Sequence, residues 1–240
     1  MATVYLIPSL LHEEGVNTIP AYIHTAIKNC QIFFVENERT TRRYFKKLWK
    51  VYLPGQDMLI DEYEWVNMTD SAIAPGLFKK ALQANKNIGI VSEAGCPAVA
   101  DPGQQLVAIA QEMNVDVKPL VGPSSILLAL MASGMNGQQF RFAGYLPVKE
   151  PERSKAIKEL EAESSKKNCT QIFIETPYRN NQLIDAVVRS CDPFTQLCIA
   201  VDITAESEWI KTKSVAGWKK NKPDINKRPA IFLLYAGKTS

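Results

Sequence analysis

The chain lacks the features that mark membrane, disulfide-bonded and metal-binding proteins. No apolar run in its 240 residues reaches the length needed to cross a bilayer, and no basic region followed by an apolar stretch indicates a signal peptide. The five cysteines are scattered without a CxxC pair, which fits a reduced cytoplasm better than a disulfide framework or a zinc site. We therefore expect a cytoplasmic protein with no membrane partner and no metal.

Common enzyme motifs are also absent. Ile7-Pro8-Ser9-Leu10 follows the first predicted strand, where a dinucleotide fold or the usual methyltransferase loop would carry a Gly-rich turn. There is neither a P-loop nor a GxSxG nucleophile elbow, and a Ser-His-Asp hydrolase would have to use His12 or His24, the only two histidines. The net charge of +3 is too small to indicate nucleic-acid binding by itself.

Short apolar runs alternate with amphipathic segments, which is typical of an α/β fold with a largely parallel sheet. The Gly-rich segment 133–139 follows a helix that Gly134 could cap, and it favours a domain boundary. We therefore predict two α/β domains with largely parallel or mixed sheets, 1–137 and 138–240, and a ligand cleft between them. The predicted strands are 4–8, 31–36, 87–92, 115–120, 171–175, 197–203 and 231–235, and the predicted helices are 20–29, 40–50, 75–85, 102–113, 123–133, 152–164 and 178–190.

The most informative segment is Val91–Gly103, which packs a carboxylate, two glycines and two prolines into a loop after a predicted strand. In an open α/β sheet the ligand sits at the carboxyl ends of the strands, where this loop lies. Asp101-Pro102, Gly122-Pro123 and Thr176-Pro177 each place a possible N-cap before a proline at a predicted helix start. Together such helix ends could bind a carboxylate or a phosphate, although each alone is more simply an ordinary cap.

Six basic residues share one face of the predicted helix 40–50 and its N-terminal extension, because they follow helical spacing. A stripe of one charge repels itself, and the phosphates of a folded RNA would offset that repulsion. A solvated helix face with distant acidic neighbours explains the pattern equally well. The six residues are Arg39, Arg42, Arg43, Lys46, Lys47 and Lys50.

In these motifs the chain resembles the tetrapyrrole methylase superfamily of S-adenosylmethionine-dependent enzymes, and within it the ribosomal RNA small subunit methyltransferase I branch. It departs from that branch in its first loop, at Glu93 in place of aspartate, and in 201–209, where an arginine and a lysine are missing. The matching segments are Val35–Arg42 (family AEDTRxTR), Ser92–Gly103 (SDAGTPxxSDPG), Pro119–Gly134 (PLPGPSAxxxALxxSG), Phe142–Pro147 (FxGFLP) and Phe173–Arg179 (FYESPHR).

The resemblance implies a homodimer and S-adenosylmethionine bound in a folded pose between the domains. Methyl transfer is an in-line displacement that needs an aligned nucleophile and the exclusion of water. Glu36 and Glu175, each at a strand end, are candidates to take the proton of an acceptor hydroxyl, although such carboxylates often cap backbone instead. The residues expected around the cofactor are Pro8, Ser9, Glu93, Gly95, Cys96, Pro97, Gly122, Pro123, Ser124, Ser125, Thr176 and Pro177.

Two classes of function follow. The first is an enzyme that methylates a ribose 2′-hydroxyl of small-subunit ribosomal RNA, for which the small ribosomal subunit is the partner. An alternative within the enzyme class is a methylase of a corrin or porphyrin ring, but binding such a ring needs a roomy apolar trough. The second is a module that binds the cofactor and has lost catalysis, which the altered first loop and the changed segment 201–209 motivate.

Overall fold

The computed structural model describes residues 2–56 and 58–237. Its contacts divide the chain into two compact units, the first ending at Ser124 and the second beginning at Ser125. The first unit contains strands β1 (Thr3–Ile7), β2 (Ile32–Val35), β3 (Glu64–Asn67), β4 (Ile88–Val91) and β5 (Asp116–Pro119), helices α1 (Ile23–Asn29), α2 (Glu38–Tyr52), α3 (Ala74–Gln83) and α4 (Gln104–Glu112), and short 3-10 helices at Gly15–Thr18 and Ile60–Glu62.

The sheet of the first unit has the order β3-β2-β4-β1-β5, and its pairings are parallel. The inner strands β2 (IFFV) and β4 (IGIV) are buried along their whole length, because helices cover both faces of a parallel sheet. One apolar cluster packs around Phe34 and Phe78, and the other around Phe33 and Phe45. Since the strands are parallel, their carboxyl ends share one edge of the sheet.

The second unit has a mixed sheet with the order β6-β7-β10-β8-β9, in which β6 and β7 are parallel and the other pairs antiparallel. Its apolar core joins this sheet to the helices around Trp218, Phe173 and Phe232. Its elements are α5 (Ser125–Ser133), β6 (Phe140–Tyr145), α6 (Glu152–Lys167), β7 (Thr170–Ile174), a 3-10 helix (Pro177–Arg179), α7 (Asn180–Ser190), β8 (Gln196–Val201), β9 (Trp209–Ser214), α8 (Val215–Lys220) and β10 (Ala230–Tyr235).

The predicted fold class, two α/β units with a parallel and a mixed sheet, is confirmed. The division at Ser124/Ser125 lies before the predicted boundary at 137/138, because α5 packs against β9 and β10 of the second unit. The hydroxyl of Thr212 on β9 also donates to the Ser133 carbonyl at the end of α5 (2.7 Å). Gly134 follows α5 with φ +71°, the left-handed conformation of a C-cap glycine.

None of the three predicted helix starts places its proline at the first position of an α-helix. The N-cap of α4 is Gly103, with φ +114°, so Asp101-Pro102 lies in the preceding loop and does not cap the helix. Thr176 precedes only the 3-10 helix Pro177–Arg179, and its side chain makes no capping hydrogen bond. Helix α5 begins at Ser125, so Gly122-Pro123 lies before the helix and Pro123 is not its first residue. Within the part of the chain that the structure describes, no helix is long and apolar enough to span a membrane.

Candidate active site

The carboxyl edge of the first sheet carries the loops that the sequence singles out. Each loop begins where a strand ends: after β1, β2, β4 and β5. Ligands of open α/β sheets bind at this edge. The predicted residues found in these loops are Pro8, Ser9, Glu36, Glu93, Gly95, Cys96, Pro97, Gly122, Pro123 and Ser124.

Backbone hydrogen bonds join the loops after β1 and β4. The N–H of Ser9 donates to the Gly95 carbonyl (2.8 Å), and the N–H of Gly95 donates back to the Ser9 carbonyl (3.2 Å). The buried Ser9 hydroxyl donates to the Ser92 carbonyl (2.7 Å). The structure therefore uses the Ser9 side chain to hold one loop against the other.

The loop after β5 packs on the same two loops. A Cβ atom at Gly122 would lie 2.1 Å from the Pro8 Cβ, so only glycine allows this approach. Cys96 Sγ lies 3.6 Å from the Pro123 carbonyl oxygen. Burial, and then the charge of Asp101, raises the pKa of Cys96, which keeps this thiol protonated and argues against a nucleophile. Pro8, Gly95, Cys96, Gly122 and Pro123 thus form one rigid cluster.

Three carboxyl groups lie beside this cluster: Glu36 on the loop after β2, and Glu93 and Asp101 on the loop after β4. The N–H of Glu93 donates to Glu36 Oε1 (2.9 Å). Burial raises the pKa of Glu36 and the nearby Glu93 charge adds to this, while the Glu93 N–H opposes it. Burial, followed by the charge of Glu36, raises the pKa of Asp101 to about 6, against the effect of a hydrogen bond with Ser92. Sequence reasoning missed Asp101 as a functional candidate; its place in the family segment SDPG was the available signal.

Glu175 has the opposite electrostatic setting. Its Oε1 accepts from Arg179 Nη2 (2.6 Å) and Nε (3.0 Å) and from the Thr176 N–H (2.7 Å), and the side chain is 2% exposed. Burial alone would raise the pKa of Glu175, but the Arg179 side chain and the Thr176 N–H together hold it below its usual value. A carboxylate held ionised by an arginine is a weak proton acceptor, which weakens the prediction that Glu175 is a base.

The remaining predicted residues belong to the second unit. Ser125 begins α5, and Pro177 begins the 3-10 helix after β7, where its carbonyl accepts from the Lys227 N–H (3.0 Å). Among the described residues, Thr176 Oγ1 and Glu175 Oε2 are buried without a hydrogen-bond partner. Buried acceptors of this kind usually have a partner, so the two atoms fit a ligand or water that donates to them.

A cavity of about 430 Å³ opens between α2 and the loops after β1 and β4. Ser9, Ser92 and Glu93 line its loop side. The α2 side is lined by Thr40, Thr41, Arg43, Tyr44 and Lys47, and the rest of the wall by Leu10, Leu11, His12, Glu13 and Ala94. The Thr40 hydroxyl donates to Glu93 Oε1 (2.5 Å) across the two sides.

Helix α2 presents its basic residues on the face opposite its buried side chains, which include Tyr44, Phe45 and Leu48. Arg42 forms ion pairs with Glu38 and Asp61, and Lys47 donates to the Glu13 carbonyl. Within residues 2–56 and 58–237, no ion pair engages the other four members. These are Arg39, Arg43, Lys46 and Lys50. Of the six basic residues on this face, only Arg42 is therefore neutralised by acidic neighbours within the described part of the chain.

Solved structures share the fold of this chain. Uroporphyrin-III C-methyl transferase from Thermus thermophilus, in a crystal structure complexed with S-adenyl homocysteine, matches with a TM-score of 0.57 at 15% identity, over 98% of this chain and 97% of that chain. The class is therefore a two-unit α/β protein with this methyltransferase's fold. The family model for Tetrapyrrole (Corrin/Porphyrin) Methylases matches residues 19–216, and the chain belongs to this family.

Curated relatives point to one branch of the family. A protein of Synechocystis sp. named Ribosomal RNA small subunit methyltransferase I is 40% identical over 162 residues, covering 66% of this chain and 55% of the relative. The protein of that name from Micromonospora olivasterospora is 33% identical over 177 residues, covering 74% of this chain and 52% of the relative. The chain spans about half the length of the curated relatives it matches. The resemblance seen in the motifs is thereby confirmed.

Proposed function

We propose that the protein is an S-adenosylmethionine-dependent methyltransferase that modifies a ribose 2′-hydroxyl of small-subunit ribosomal RNA. The observation that carries the proposal is the pair of carboxyl groups with raised pKa, Glu36 and Asp101, at the sheet edge where the family's segments meet. The named relatives support RNA as the substrate. The basic face of α2 in the same unit supports an anionic partner.

The polar groups of the site fit the cofactor's chemistry. Bound S-adenosylmethionine supplies a methyl group already activated on a sulfonium. Its amino-acid end and ribose need both donors and acceptors. In the first unit, Gly122 and Ser124 each have a backbone N–H that can donate, whereas Pro123 has none. In the second unit, Thr176 Oγ1 and Glu175 Oε2 are acceptors without a protein partner among the described residues. Cys96, whose raised pKa keeps its thiol neutral, would add no charge near a bound cofactor.

Glu36 then receives the proton of the acceptor hydroxyl. A carboxylate whose pKa lies above its usual value is the better base, and the N–H of Glu93 fixes the orientation of Glu36. The rigid cluster of loops after β1, β4 and β5 holds the groups in place, so that the protein needs little rearrangement to align donor and acceptor.

The test uses the purified protein, labelled S-adenosylmethionine and small ribosomal subunits from a strain that lacks this methylation. We expect label in RNA and its recovery in alkali-stable dinucleotides, because a methylated 2′-oxygen cannot attack the adjacent phosphate. Glu36→Gln should lower kcat by at least about a hundredfold with little change in cofactor affinity. Glu159→Gln, at an exposed position on α6, is the matched control and should behave as the wild type.

Two outcomes contradict the proposal. Label transferred to a porphyrinogen but not to RNA would make the protein a ring methylase. Cofactor binding by calorimetry without turnover on either acceptor would make it a binding module, as the altered first loop allows.

A further inference from the structure

The cavity beside α2 differs in charge from the rigid loop cluster. Arg43 and Lys47 line its α2 side, whereas Glu13 and Glu93 line the rest of the wall. Arg43 has no ion-pair partner among residues 2–56 and 58–237. On the α2 side the two cations disfavour a sulfonium, since like charges at short range repel strongly in a partly buried site. The same cations favour a phosphate, which arginine binds with two parallel hydrogen bonds.

The rest of the cavity suits a nucleoside. Leu10, Leu11 and the ring of Tyr44 give it an apolar wall, and the Tyr44 hydroxyl is already engaged with the Pro8 carbonyl (2.6 Å). Glu93 and Thr40 face the same space and are joined by a hydrogen bond (2.5 Å). Such a carboxylate accepts from ribose hydroxyls or from an exocyclic amine. The volume of about 430 Å³ lies within the range of small-ligand sites.

A surface groove continues the cavity along α2. This groove is lined by Glu38, Arg39, Arg42, Arg43 and Lys46, so Arg43 borders both spaces. Arg42 is neutralised there by Glu38 and Asp61. The unpaired cations Arg39, Arg43 and Lys46 then form a track that leads to the cavity mouth, as a phosphate backbone requires.

Resting on the proposed function, we propose that this cavity receives the target nucleotide of the RNA, unstacked from its neighbours, with Arg43 binding its phosphate and Glu93 facing its nucleoside. The flanking backbone follows Arg39 and Lys46 along α2. The enzyme therefore acts on a single-stranded or looped segment, because a stacked and paired nucleotide cannot enter a cavity lined on both sides.

The first experiment compares two changes that remove one positive charge from the same helix. Arg43→Gln should raise the KM for small subunits about tenfold, with kcat changed less than twofold and cofactor affinity unchanged. Lys50→Gln, which lines neither space, should raise KM much less. Lys79→Gln, exposed on α3, is the charge-matched control and should match the wild type.

Binding without the cofactor gives a second readout. For isolated small-subunit RNA, the slope of log affinity against log salt should become shallower by about 0.7 in Arg43→Gln, the value for one lost contact to a single strand. Equal effects of Arg43→Gln and Lys50→Gln would show diffuse attraction and overturn the inference. An increase in the KM for S-adenosylmethionine in Arg43→Gln would overturn it too, because the cavity would then hold the cofactor.

The single-strand requirement is tested after the labelled nucleotide has been mapped. A DNA oligonucleotide that pairs with the site should abolish methylation of isolated RNA, while one that pairs elsewhere should not. Methylation of the paired site at an undiminished rate would overturn the inference. Failure of the wild type to label any RNA would instead refute the proposed function, so the two failures are distinguishable.

Discussion

Asp101 has a carboxyl group that the folded protein prefers to keep protonated. Burial, together with the charge of Glu36, raises its pKa from 3.8 to about 6. A carboxyl group with a pKa higher in the folded than in the unfolded state stabilises the fold fully only below the unfolded pKa. That contribution is lost as the pH rises from about 4 through about 6.

Asp101→Asn should therefore increase the free energy of unfolding above pH 6, because the amide never ionises. At pH 4 and below the variant and the wild type should be equally stable. Urea unfolding between pH 3.5 and 8 measures the difference, and Asp116→Asn on the exposed edge strand β5 is the control. A constant difference across this range would show that Asp101 does not titrate as the structure indicates.

The course of the loop around Asp101 could not be predicted from the sequence for a local reason. An aspartate before a proline normally predicts an N-cap, yet here the chain makes one more turn before α4 begins. Ala98 and Ala100 have φ of +66° and +63°, and Gly103 has +114°. Alanine gives no sign of a left-handed conformation, so the course of this loop cannot be read from residue types. The position of Glu36 at the end of β2 was predictable, because the apolar run before it is clear.

Among the elements, β4 is shaped by the absence of a side chain at Gly89. A Cβ there would lie 2.4 Å from the ring of Phe33 on the neighbouring strand. Phe33 is fully buried and contacts the rings of Phe45 and Trp65. The glycine thus lets an aromatic cluster pack directly on the strand that carries the central loop.

Gly89→Ala should lower the free energy of unfolding by about 1–3 kcal/mol, because the buried ring cannot move away without disturbing its neighbours. Gly76→Ala, in α3 with nothing within 4 Å of the new Cβ, should be neutral or stabilising by up to about 1 kcal/mol. Thermal and urea unfolding of both variants give the comparison. Equal stability of the two would contradict the packing described for Phe33.

The strands that the sequence did not predict share a position in the fold. β3, β6 and β9 lie at sheet edges, and each has exposed or half-buried residues in place of an apolar run. Six of the seven predicted strands lie inside the sheets, where burial leaves a compositional trace that edge pairing does not. The seventh, β5, was predicted although it is an edge strand with mostly exposed residues. The ion pair of Arg42 with Asp61 could not be predicted from the sequence either, because a loop separates Asp61 from α2 along the chain.

At the scale of the whole molecule, the order of the motifs along the sequence was informative about which loops lie together, because the motifs lie at the ends of strands. Parallel strands place their ends at one edge, so the loops around Pro8, Gly95 and Gly122 came together as predicted within the first unit. The segment around Thr176 belongs to the second unit. No signal in the sequence relates these two sets of residues to each other.

S-adenosylmethionine at a hundred times its Kd should raise the free energy of unfolding of the chain by about 2.7 kcal/mol, because it binds the folded state. Gly122→Ala should reduce this gain, since the new Cβ would separate the loops after β1 and β5. Thr176→Val should reduce it as well, through loss of the buried Oγ1 acceptor. Thermal shifts of both variants, with Gly76→Ala as control, give the measurement. A full shift in Thr176→Val alone would confine the cofactor to the first unit, and a full shift in Gly122→Ala alone would confine it to the second.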